Sequence, residues 1–76
     1  ICISSSGESK NIINGAKYAK KIGCKVVTLT GFSKKNKVRK IGHLNFWLDS
    51  NNYNLIEMTH HIWLLSIVDF LAKSKF

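Results

Sequence analysis

The chain of 76 residues reads as half of a doubly wound α/β domain, with elements in the order β-α-β-α-β-α. Three observations predict it. Short apolar or β-branched runs recur at strand length, segments of helical periodicity alternate with them, and clusters of Gly, Ser and Asn mark the handovers. No repeat, linker or low-complexity segment interrupts the pattern.

Ile1 to Ser4 is the first run, and it ends in the cluster Ser4-Ser5-Ser6-Gly7. Behind it, Ile12, Ile13, Ala16, Ala19 and Ile22 recur at helical spacing. Ser9 is the natural N-cap, because its hydroxyl can accept from a backbone N–H of the first turn. Gly23 is the natural stop, because glycine tolerates positive φ. Val26 to Leu29 is the next strand, closed by Thr30-Gly31, and strand, helix and strand at this spacing imply parallel strands joined by a right-handed crossover. The basic stretch from Ser33 to Lys40 has apolar residues only at Val38 and, just beyond it, Ile41, so it reads as a loop and then a short helix. Leu44 to Leu48 is the third strand. After the turn formers Asp49, Ser50, Asn51 and Asn52, the spacing of Leu55, Met58, Ile62, Leu65 and Phe70 predicts one long, mostly buried helix from Asn54 to about Lys73.

A chain this short is at most one small domain, and a core of that size buries only about 60% of the surface its unfolded chain exposes. It opens directly on an apolar run at Ile1, which reads as a start inside a core strand; residues 1–76 are therefore expected to be the C-terminal part of one domain. An apolar fraction of 45% with 21% charged residues excludes a disordered chain. Cys2 and Cys24 form no CxxC, zinc or disulfide pattern and are expected to be buried thiols of a reducing cytosol. The apolar stretch from Ile62 to Leu71 is broken by Ser66 and Asp69 and falls short of the ~20 residues that span a bilayer, so no membrane span is expected. The formal charge of +8 invites nucleic acid as a partner. Its lysines are scattered without an interleaved aromatic platform, however, and read as a solvated face and loop.

The chemistry concentrates in Ser4-Ser5-Ser6-Gly7-Glu8-Ser9, where a parallel strand hands over to a helix. Ligands of such folds bind beyond the carboxyl ends of the strands, and a helix N-terminus presents free N–H groups and a positive dipole end to an anion. The hydroxyls of Ser4, Ser5, Ser6 and Ser9 would add neutral donors around phosphate oxygens, while Gly7 lets the backbone turn closely. On the residues alone, a polar turn capped by Ser9 fits equally well. The segment is neither a Walker A loop, lacking its Gly-Lys-Ser/Thr ending, nor a GxGxxG turn, since Gly7 stands alone.

The same six residues resemble the S-[ST]-S-G-x-S signature of SIS (sugar isomerase) domains. Leu29-Thr30-Gly31 is similar to that family's second strand end. Ser50-Asn51-Asn52-Tyr53, followed by Ile56-Glu57 and His60, is similar to its final loop and helix, in the branch that includes phosphoheptose isomerases. The resemblance covers essentially the whole chain. It implies a flavodoxin-like three-layer sandwich with a parallel sheet, usually a cytoplasmic homotetramer, binding a phosphosugar at the C-terminal edge of the sheet. In that branch the substrate is sedoheptulose 7-phosphate, a carbonyl moves between two carbons, and the setting is surface-polysaccharide (lipopolysaccharide) metabolism. The phosphate-binding positions fall on Ser4, Ser5, Ser6 and Ser9, and the polar residue that contacts sugar hydroxyls on Asn54.

Two positions depart from the pattern. The isomerases carry a Gln and a His on the last helix that help bind a metal, commonly zinc, and here these are Glu57 and Leu65. Glutamate can replace Gln as an oxygen ligand, whereas leucine can neither coordinate a metal nor carry a proton. Glu57, His61 and Leu65 are spaced by four and share one helix face, so Glu57 and His61 are the expected catalytic and metal-binding pair of a rebuilt pocket. The ordinary alternative, an H-bonded His60–His61 pair on a partly buried helix, is favoured by the ~5.4 Å that one turn would move a ligand. Trp47 and Trp63 read as core or subunit-contact residues and His43 as a surface residue. The leading expectation is a phosphosugar isomerase-like SIS protein; the runner-up is a non-catalytic sugar-phosphate sensor or tetrameric adaptor, for which Leu65 speaks.

Overall fold

In the computed structural model, which describes residues 1–75 and side chains as far as Lys73, strands β1 (Cys2–Ile3), β2 (Val27–Thr30) and β3 (Leu44–Trp47) lie side by side in that order. Both pairings are parallel, with Cys2 opposite Thr28 and Ile3 opposite Leu29, then Val27 to Thr30 opposite Leu44 to Trp47. Parallel neighbours need crossovers. These are α1 (Lys10–Lys21) and α2 (Lys37–Ile41), while α3 (Tyr53–Lys75) follows the last strand. This is the α/β order read from the sequence, consistent with part of a flavodoxin-like fold.

Two crossovers of one hand that step across a sheet in the same direction lay their helices on one face. Accordingly α1 and α2 pack on each other and on β1 and β2. On that face Thr30 meets Asn36, and Trp47 lies under the Arg39 guanidinium, 5.4 Å from the ring centroid. The opposite face carries Leu29 and Phe46, and α3 covers it, with the Phe46 and Trp63 rings 5.7 Å apart. The apolar core is Ile13 and Ala16 of α1, Val38 of α2, Val26 and Leu29 at β2, and Ile56 of α3.

The end of α1 follows its sequence signals. Gly23 takes φ +93°, its N–H reaches the carbonyl of Lys20, and the N–H of Cys24 reaches that of Ala19, which satisfies the last carbonyls of the helix.

The long helix departs from expectation. Leu55, Met58, Ile62, Leu65 and Phe70, read as its buried stripe, are exposed; the side that meets the sheet is Ile56 and His60, continued by half-buried Trp63, Leu64 and Ile67. Nearly every turn of α3 is apolar, so two stripes one position apart both have helical period. Periodicity cannot choose between them, and the seat for Ile56 against Gly31 does. By length and composition Tyr53–Lys73 is also long and apolar enough to cross a membrane, which the stretch from Ile62 to Leu71 taken alone did not reveal. α3 docks on the sheet at Ile56 and His60, and most of this span is exposed. The thiols are also not buried as expected: Cys2 is half-buried at an outer strand and Cys24, just past the Gly23 turn, is exposed.

Candidate phosphate cradle and adjoining hollow

The serine turn is a continuation of β1. The Ser4 N–H donates to the Leu29 carbonyl at 3.0 Å, one rung beyond the strand, and buries the Ser4 side chain. Gly7, at φ +69°, then folds the chain back so that its N–H meets both the carbonyl and the Oγ of Ser4 at 3.1 Å. The Glu8 N–H donates to Ser6 Oγ at 3.1 Å. Ser4 and Ser6 thus accept from the turn, and among the described residues neither hydroxyl donates to a protein group, which leaves their protons for a ligand. Ser5 is half-exposed beside them.

Ser9 stands at the N-cap position but does not cap. Its hydroxyl donates to Asn11 Oδ1 at 2.7 Å, and Asn11 Oδ1 also accepts from the Ile12 N–H at 3.1 Å. A nearby side-chain amide oxygen competes for the hydroxyl, a rivalry typical of short polar side chains. Among the described residues the N–H groups of Lys10 and Asn11 consequently meet no protein acceptor. The carboxylate in the turn faces elsewhere: Glu8 Oε2 accepts from the Lys37 N–H at 3.0 Å and Oε1 lies 3.9 Å from Lys37 Nζ. Glu8 therefore caps α2 and does not oppose an anion at α1.

Asn36 ties the turn to the sheet, and the sequence reading missed it. It is fully buried; Nδ2 donates to Thr30 Oγ1 at 2.9 Å and to the carbonyls of Gly31 and Ser33 at 3.2 and 3.0 Å. Its Oδ1 accepts from the Arg39 N–H at 2.7 Å and caps α2. The signal available beforehand was an Asn directly ahead of a short helical stretch.

On the other face of the sheet, next to the turn, Ile3, Glu57, His60, His61 and Leu64 line a hollow of about 220 Å³. Ile3, the residue before Ser4, is the lining residue that β1 supplies, and no residue of the serine turn is in the lining. Glu57 and His61 are brought together there as the spacing predicted. Asn54 and Leu65 are not in the lining; both are exposed. His60 is the buried histidine, its Nε2 donating to the Thr30 carbonyl at 2.9 Å, whereas His61 is exposed, so the two do not form an equivalent pair. Trp63 is half-buried between His60 and Phe46. His43 is exposed as expected, yet its Nδ1 accepts from the Val26 N–H at 3.0 Å at the start of β2. Among the described residues no group of three or more His, Cys, Asp or Glu side chains could hold a metal ion.

The chain resembles a probable phosphoheptose isomerase of Thermoplasma acidophilum, 34% identical over 74 residues, covering 97% of this chain and 40% of that protein. A probable phosphoheptose isomerase of Thermoplasma volcanium is 36% identical over 58 residues, and a phosphoheptose isomerase of Aliarcobacter butzleri 38% over 60, covering 76% and 79% of this chain. This chain is related in sequence to phosphoheptose isomerases. It spans 29 to 40% of the length of these curated relatives. No protein-family model matches it, and no solved structure is significantly similar.

Proposed function

We propose that this chain is the phosphate-binding part of an SIS domain in a cytoplasmic phosphosugar aldose–ketose isomerase acting on a heptose phosphate such as sedoheptulose 7-phosphate in surface-polysaccharide metabolism. The observation that carries the proposal is the Ser4–Ser9 turn. It gathers the unspent hydroxyl protons of Ser4 and Ser6, half-exposed Ser5, and the free N–H groups of the first turn of α1, and the preceding residue, Ile3, lines a hollow together with Glu57. Neutral donors and a helix N-terminus suit a phosphate dianion that must be released after turnover. Ser9 contributes by position, through the helix end it begins.

Isomerisation transfers a proton between neighbouring carbons; Glu57 would take it and His61, one turn away, would be the second proton carrier, a reading supported by the presence of both in the lining of the hollow. Asn54 would meet sugar hydroxyls from the first turn of α3. Zinc does not fit the described residues alone, because Glu57 and His61 are two donors where a catalytic zinc takes three protein ligands. The exposed apolar side of α3 supports assembly as a homotetramer. The alternative of a phosphosugar sensor or adaptor is favoured by Leu65, which can carry no proton.

Calorimetric titration of the full-length protein with sedoheptulose 7-phosphate tests the cradle. Ser4→Ala with Ser6→Ala should abolish measurable binding, and unchanged affinity would overturn the proposal.

A further inference from the structure

We infer that His60 contacts the bound sugar phosphate, offering Nδ1 as a hydrogen-bond acceptor to a hydroxyl of the sugar chain. The inference deepens the reading of the adjoining turn as a phosphate cradle and rests on it. His60 is 2% exposed, and its ring is held at two places: Nε2 against the Thr30 carbonyl at 2.9 Å, and the ring plane at 30° to Trp63, with centroids 5.9 Å apart. Trp63 in turn packs on Phe46 of β3. A carbonyl only accepts, so Nε2 carries the hydrogen, and in the neutral ring Nδ1 is left as a lone-pair acceptor. That Nδ1 is buried and has no hydrogen-bond partner among the described residues.

Buried polar atoms without a partner are rare in folded proteins, because desolvation is then uncompensated. Here the ring lines the hollow together with Ile3, the residue before the serine turn, so the donor can come from what fills that hollow. A neutral acceptor selects an O–H donor. The hydroxyls of a polyol chain supply one, whereas an ionised phosphate presents acceptor oxygens, so His60 should sense the sugar and be indifferent to the phosphate. His61, exposed and without a ring contact among the described residues, lacks this fixed geometry.

The test is calorimetry on the full-length protein with sedoheptulose 7-phosphate and, separately, inorganic phosphate. In His60→Gln the amide nitrogen can still reach the Thr30 carbonyl while nothing replaces Nδ1. Loss of one good hydrogen bond should weaken sugar-phosphate binding about tenfold and leave phosphate binding within about twofold. Equal weakening for both probes, or none for either, would overturn the inference. Should His60→Gln melt well below the parent, ¹⁵N spectra of the histidine-labelled parent decide. The His60 Nδ1 signal should move on adding sugar phosphate and stay put with phosphate alone; a stationary signal overturns the inference. A parent that binds neither probe would instead sink the cradle itself.

Discussion

Gly7 and Asn36 occupy each other's space so closely that a Cβ on residue 7 would collide with the Asn36 side chain. The serine turn and the N-terminus of α2 fit together only with glycine at that point, and the Val38 N–H seals the contact by donating to the Gly7 carbonyl at 3.0 Å. Gly7→Ala should therefore act twice. Its φ of +69° costs an alanine about 1–2 kcal/mol, and the collision adds to that. Urea unfolding should show a loss above about 2 kcal/mol, with phosphosugar affinity falling in parallel.

Asn36 separates two kinds of capping argument. As an N-cap alone, Asp should replace it well. In this site Nδ2 feeds Thr30 Oγ1 and two carbonyls, so Asp would remove the donors and set a buried negative charge against oxygen atoms. We expect Asn36→Asp to destabilise at least as much as Asn36→Ala, by about 2–4 kcal/mol in denaturant titration. A well-tolerated Asp would show that the network matters less than the cap.

Gly31 seats α3 on the sheet. A Cβ there would lie 2.5 Å from Ile56 Cδ1 and 2.8 Å from Cγ1, and Ile56 is fully buried. Overpacking of this kind costs about 1–3 kcal/mol. Because Ile56→Val removes the nearest atom, the double variant Gly31→Ala/Ile56→Val should be more stable than Gly31→Ala alone, and a thermal-melting cycle would read that coupling.

These contacts also mark how far the sequence could be read. Element order and parallel pairing were legible because short β-branched runs and Gly/Ser turns punctuate the chain, and Gly23 ended α1 as its positive φ allows. The serine cluster was legible as the turn between β1 and α1 because its position at a strand end does not depend on packing. What was not legible depends on three-dimensional neighbours. The inward side of α3 is chosen by a missing Cβ at Gly31, the Ser9 hydroxyl by Asn11, and the buried histidine of the His60-His61 pair by the Thr30 carbonyl. None of these partners is signalled by spacing.

The outer side of α3 exposes Leu55, Met58, Ile62, Leu65 and Val68. Contiguous apolar surface of this kind drives association. Prepared by itself, the 76-residue chain should show a sedimentation mass that rises with concentration, and Met58→Lys with Ile62→Lys should reduce it. A concentration-independent monomer with a cooperative melt would contradict this.

The last prediction concerns the chemistry of α3. If the protein is an isomerase, proton transfer depends on Glu57 and His61, which line the hollow, and not on Leu65, which is exposed and has no exchangeable proton. Full-length protein should then interconvert aldose and ketose forms of heptose phosphates, and His61→Ala should lower kcat at least about a hundredfold, the low end of what a proton carrier contributes. Activity that survives His61→Ala would refute the rebuilt pair. An inactive parent that gains activity on Leu65→His would point to a sugar-phosphate-binding protein whose missing histidine stands one turn beyond His61, and would leave the cradle as its working part.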